Sequence, residues 1–361
     1  MMTRVFTLLS RRIVRVGLVG LLLLIGFAAE PVAACGCGIY ITQGDDARVA
    51  QERSLLRWDG QRELIVMSLG VLGESPQAAI IVPVPSQANV QLADAKIFDE
   101  LQEMTKPLER VKTEWVFFPM MGVGALPPDG AGAPAVTVLS RQNLGPFDVA
   151  NLAATDARVL NAWLDENGFQ LDPRAAEILA PNIEKNWTFV AIRVRPDQAD
   201  ARLTGDLAPL AIAFDTNELI YPMRSSALAD NQQTVALYIL ADHRVEKNIS
   251  FGASRVAYAD WIEPSSLAPA STLAPYIERK YFLTKYIDSV DPTQVDGDFT
   301  FTFAPQDTIF REVNVKIIKQ DVSGFVLLAC VGAMFLGAAA FVIFLVMFTR
   351  RRAVGDSAMA R

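Results

Sequence analysis

Ser54-Leu55-Leu56-Arg57-Trp58-Asp59-Gly60-Gln61-Arg62-Glu63-Leu64-Ile65-Val66-Met67-Ser68-Leu69 reads as two strand-like runs divided by Asp59-Gly60. An Asp-Gly pair supplies the positive φ angles of a tight turn, so the stretch predicts an antiparallel hairpin. Working outward, the apolar run Ala78 to Val82 meets Pro83-Val84-Pro85, whose missing backbone donors are expected to stop a central strand. Ile97, Leu101 and Met104 recur at helical spacing over 93–103, and Pro107 closes that segment. Trp115 to Phe118 is a short strand candidate. The Gly- and Pro-rich residues after it predict an exposed loop, with a possible subdomain break near 122–134.

Further along, Val136 to Leu139 is extended in pattern. Thr155-Asp156 precedes a helix through Val159, Leu160, Trp163 and Leu164, with Gly168 placed for its C-terminal cap. A second short helix is expected after Pro173, which a first helical turn tolerates. Trp187 to Val194, Leu210 to Phe214 and Thr234 to Leu240 read as strands, and Tyr276 to Ile287 as a helix or an extended aromatic segment. Phe299 to Phe303 and Val313 to Ile318 both alternate and predict a terminal pair of strands. Many strands and few helices predict an α+β fold around an antiparallel or mixed sheet.

The two ends carry a different message. Arg4, Arg11, Arg12 and Arg15 precede an apolar run from Val16 to Ala29 and the small residues Val32-Ala33-Ala34, the layout of a secretory signal over 1–34. An uncleaved anchor is the alternative, and Ser10-Arg11-Arg12 loosely matches a twin-arginine signal. Residues 322–349 are free of charge and long enough to span about 30 Å of hydrocarbon. Arg350, Arg351 and Arg352 follow at once, and basic clusters stay on the cytoplasmic side. The expectation is a single-pass cell-membrane protein: an extracytoplasmic domain over 35–321, a transmembrane helix over 322–349 and a cytoplasmic tail over 350–361.

Outside those ends the chain carries 38 acidic and 25 basic residues, a net charge near −13. Such a surface repels nucleic acid, and no dense Lys/Arg cluster interrupts it. His243 is the only histidine, which excludes sites needing two imidazoles. Its setting, Asp242-His243-Arg244, reads as a polar turn after a strand. The phosphate-cradling Gly-rich signatures are missing, so no cofactor is expected. Asp288, Asp291, Asp296 and Asp298 raise the question of calcium, but their spacing does not match the EF-hand pattern, Pro292 and Gly297 explain them as turns, and no metal is expected. Asp45-Asp46 reads as the start of a turn or helix.

Cys35-Gly36-Cys37 is the sharpest chemical feature. The readings are a structural disulfide, a reduced pair, a strained redox-active bond, or lipid attachment to Cys35 after cleavage. Cys330 lies in the apolar run, out of reach. The aromatic groups Trp115-Val116-Phe117-Phe118 and Tyr281-Phe282 read as core before ligand surface.

Taken in order, Cys35-Gly36-Cys37-Gly38, Gln51-Glu52-Arg53, Asp59-Gly60 before Glu63-Leu64-Ile65-Val66-Met67, and the Pro83-Val84-Pro85 stop resemble the bacterial family catalogued as domain of unknown function 2330. Ala162-Trp163-Leu164-Asp165-Glu166-Asn167-Gly168-Phe169, the run from Trp187 to Ala191, and Tyr221-Pro222-Met223 extend the resemblance across most of the ectodomain. It implies a secreted or membrane-tethered bacterial protein and transfers no activity. The functional expectation is an envelope module for non-catalytic binding or assembly, with the membrane and a possible envelope protein as partners. The alternative is an envelope enzyme, either a carboxylate-based hydrolase or a thiol-disulfide exchanger at Cys35 and Cys37, with catalytic residues otherwise unassigned.

Overall fold

The computed structural model describes residues 33–35, 38–42, 47–116, 147–153, 157–196, 202–321 and 323–358. The chain divides into two units. The first comprises residues up to Pro107 together with Ser140–Glu312, and the second Leu108–Leu139 with Val313–Arg361.

The first unit grows from the predicted hairpin. Strands Arg48–Trp58 and Arg62–Ser75 pair antiparallel, with Trp58 opposite Glu63. Gly60 takes φ +97, and the Asp59 carboxylate accepts the Gln61 and Arg62 amides at 3.0 and 2.8 Å. Turn chemistry and side-chain capping thus fix the register together. The hairpin sits inside a nine-stranded mixed sheet in which Gln233–Ala241 runs parallel to Arg48–Trp58 and antiparallel to Tyr281–Val290. Gly252–Ile262 extends one side and Leu210–Asp215 the other.

A second, five-stranded antiparallel sheet runs in the order Ala33–Cys35, Gly38–Thr42, Ala78–Val84, Thr188–Val194, Phe147–Ala153. Alternation along each strand then builds layers, because successive side chains point to opposite faces. Leu56, Ile65, Met67, Leu237 and Ile239 share one core with Tyr40, Ile80, Val82, Val190 and Ile192 of the other sheet. Their neighbours Leu55, Val66, Tyr238 and Leu240 face helix α1 (Lys96–Met104) through Ile97, Phe98 and Leu101. Behind the five-stranded sheet, Ile39, Ile81 and Phe189 pack on helices α2 (Ala157–Glu166) and α3 (Ala175–Glu184) through Leu160, Leu164 and Leu179. The result is a helix–sheet–sheet–helix stack.

The expected strands at 187–194, 210–214 and 234–240 are present, as is Gly168 in positive φ at the end of α2. One expectation is refined and one needs correction. The strand ends at Val84, inside the Pro83-Val84-Pro85 stop, with Pro83 itself still paired. Among the described residues, Phe189 is the strand partner of Pro83, and the register with Gly38–Thr42 is described only as far as Ile81. Phe299–Phe303 and Val313–Asp321 do not pair with each other. The former joins a three-stranded sheet with Ile220–Tyr221 and Val245–Lys247. Of the Tyr276 to Ile287 segment, the part from Tyr281 is extended, in strand Tyr281–Val290, with Tyr281 and Phe282 buried, while residues 276–280 form turns before it.

The second unit pairs Val313–Asp321 in parallel with Leu108–Val116, and helix α4 (Ser323–Ala358) follows. Within α4, Leu328–Met347 is long and apolar enough to cross a membrane, with mean hydropathy 2.5 and none of it buried. The expected break near 122–134 and the strand proposed at 136–139 lie outside the described residues, as do residues 1–32.

Candidate functional site

Several polar groups lie on the inner face of the nine-stranded sheet, where burial makes every unmet hydrogen bond costly. Glu52 and Ser54 project from one strand toward Tyr221, whose hydroxyl donates to Glu52 and lies 2.6 Å from Ser54 Oγ. Next along the hairpin, Glu63 is fully buried and accepts the Ile220 amide at 3.1 Å, while its other oxygen has no partner. Burial raises the Glu63 carboxyl well above its ordinary range, and the charge of Glu218 adds to the rise against the Ile220 hydrogen bond. Glu63 therefore stays protonated far above the pH at which an exposed glutamate ionises.

A second buried group is cationic. The Lys247 ammonium stands 4.1 Å from the Phe299 ring centroid and 5.1 Å from that of Tyr286, and it pairs with the Asp288 carboxylate. Burial lowers the Lys247 amine, with Asp288 opposing the fall. Both side chains are almost sealed from solvent.

Beside these groups the hairpin end opens into a cleft of about 250 Å³ lined by Trp58, Glu218, Val245, Phe301, Thr302 and Phe303, among others. Local geometry explains its walls. The Asp59-Gly60 turn leaves Trp58 as the last residue of its strand, and Gln61 accepts the Thr216 amide at 2.8 Å, tying the 216–218 loop to the turn. Thr216 Oγ1 in turn accepts the Glu218 amide and donates to the Glu218 carbonyl, which holds that loop in shape. The Trp58 and Phe303 rings lie 6.0 Å apart at 49°, and His243 meets Phe303 edge-on at 5.3 Å. The Trp58 indole Nε1 is buried with no partner, whereas Phe303 remains about half exposed.

His243 is exposed, with Nδ1 2.9 Å from the Asp307 carboxylate, which fits the polar turn expected for it. The four aspartates considered for calcium are separated by their partners. Asp288 binds Lys247, Asp291 caps a short turn at Thr293, the Asp296 carbonyl accepts from Arg224, and Asp298 accepts the Met223 and Arg224 amides. Among the described residues no group of three or more His, Cys, Asp or Glu side chains is gathered as a metal site. Cys35 has a described backbone, paired with Gly38, while Cys37, Asp45 and Asp46 lie outside the described residues. The cysteine pair is therefore not placed. The cleft was not read from sequence, although its signals were present: a tryptophan at a hairpin end and a strand of alternating phenylalanines.

A family model described as "Uncharacterized protein conserved in bacteria (DUF2330)" matches residues 31–302. No curated protein matches the chain. Among solved structures, the crystal structure of baculovirus P35 is similar at 10% identity and TM-score 0.32, covering 74% of this chain and 98% of that one. The caspase-8/P35 complex gives 9% identity and TM-score 0.27, covering 74% and 97%.

Proposed function

The chain belongs to this bacterial family of uncharacterised proteins, and from that premise we propose that it is a membrane-tethered extracytoplasmic module that binds rather than transforms its ligand. The observation that carries the tether is α4, in which Leu328–Met347 leaves its apolar side chains uncovered and Arg350, Arg351 and Arg352 follow within the same helix. An uncovered apolar helix of 20 residues is costly in water and stable in hydrocarbon. The arginines put the tail inside the cell and the β-rich unit outside. This orientation agrees with a signal at 1–34.

Binding is supported by the open cleft beside Trp58, whose lining residues include three aromatics and the acidic Glu218. A hydrolytic carboxylate pair there would have to use Glu63 with Glu218. Glu63, however, is sealed in the core and spends one oxygen on a backbone amide, so its geometry favours bracing the cleft over reaching a substrate.

Protease treatment of intact spheroplasts carrying the full chain with a C-terminal epitope tests the orientation. The expected result is loss of the β-rich unit with survival of a short tagged fragment. A β-rich unit that resists until the cells are lysed would overturn the reading.

A further inference from the structure

We propose that the cleft beside Trp58 is a binding site for a small organic ammonium ion free in solution. The inference rests on the binding-module reading and specifies its ligand.

The protein itself displays the chemistry required. On the three-stranded sheet that walls the cleft, Lys247 holds its ammonium against the Phe299 and Tyr286 rings with Asp288 as counter-ion. Tyr286 in turn contacts Phe301, a cleft wall, at 6.2 Å between centroids. The cleft repeats the same components one step outward: Trp58, Phe301 and Phe303 supply rings, and Glu218 supplies a carboxylate. Elsewhere on this molecule aromatic rings carry cations of their own. Lys280 sits 4.4 Å from the Trp261 centroid, Arg279 4.4 Å from that of Tyr281, and Lys285 4.9 Å from that of Tyr238. Among the described residues no lysine or arginine stands over Trp58, Phe301 or Phe303, and Glu218 forms no ion pair. Rings attract cations through their negative faces, and tryptophan does so best.

Size and field agree. A cavity of about 250 Å³ lies below the range typical of drug-sized ligands and suits an ion of a few heavy atoms. The excess of 38 acidic over 25 basic residues outside the two ends draws cations toward the surface and repels anions.

Calorimetric titration of the full chain in uncharged detergent provides the test, with tetramethylammonium chloride as probe, sodium chloride as ionic control and glucose as neutral control. Saturable binding of tetramethylammonium alone is expected. Glu218→Gln, at an exposed position, should leave thermal unfolding unchanged and weaken binding about threefold to tenfold, and Trp58→Phe should weaken it about threefold. No saturable binding by the unaltered chain, unchanged affinity in the Glu218→Gln variant, or preferential binding of glucose would each overturn the assignment. Preferential binding of glucose, or unchanged affinity in the Glu218→Gln variant, overturns the ligand assignment while the binding-module reading stands, whereas no saturable binding of any probe counts against both.

Discussion

Gln233–Ala241 and Val313–Asp321 are both nine-residue strands and both pair in parallel with a partner far away in sequence, but 235–241 is an unbroken apolar run whereas 313–317 alternates apolar with polar residues. Their fates differ. Leu237 and Ile239 are completely buried, whereas Val315 and Ile317 are 53% and 50% exposed. The first strand lies between other strands with a sheet on one face and α1 on the other. The second has, among the described residues, a single strand neighbour, Leu108–Val116. An unbroken apolar run thus marks a strand covered on both faces, while alternation selects only the extended conformation and leaves burial to the layers that the rest of the chain supplies.

The comparison can be strained first at Lys247, whose partner Asp288 lies opposite Val235 in the buried strand. Lys247→Met should remove about 4 kcal/mol from the folding of the β-rich unit, because it leaves Asp288 as an unpaired buried charge. Urea denaturation followed by circular dichroism measures this, and a loss below about 1 kcal/mol would break the account of that core. Leu237→Ala should cost about 3 kcal/mol through the cavity it opens, read in the same way.

Glu63 sharpens the comparison through pH. Its folded carboxyl is raised, so the folded state holds its proton more tightly than the unfolded chain. The resulting stabilisation is fully present below the unfolded value near 4.5 and is lost as pH climbs toward the raised folded value. Glu63→Gln should therefore gain thermal stability relative to the unaltered chain on going from pH 4 to pH 8; parallel pH profiles would contradict this. The smallest effect belongs to the exposed strand. Ile317→Ala should change stability by no more than about 0.5 kcal/mol, and a larger loss would show that the strand is covered in the folded protein.

Much of this fold was legible from local chemistry. Asp59-Gly60 announced its hairpin, Ile97 and Leu101 their helix, and Gly168 its cap, because each signal lies within a few residues of what it specifies. Strand partners were not legible where pairing spans long loops. Phe299–Phe303 was expected beside Val313–Ile318 but pairs with Ile220–Tyr221 and Val245–Lys247, a choice made by packing against Tyr286 and Phe251. The cleft was hidden for the same reason. Trp58, Glu218 and Phe303 are close only because three separate segments converge, and no spacing rule connects them.

The parallel pairing of Leu108–Val116 with Val313–Asp321 also sets an order of events during synthesis. About 200 residues separate the two strands, and at roughly 5–20 residues per second the earlier one waits on the order of 10–40 s for its partner. The strands of the β-rich unit are all made by Glu312, before that partner emerges. The ribbon is thus the last β-structure to close, at the moment the apolar helix arrives behind it. Among the described strands, Leu108–Val116 is therefore the one that waits longest for a partner.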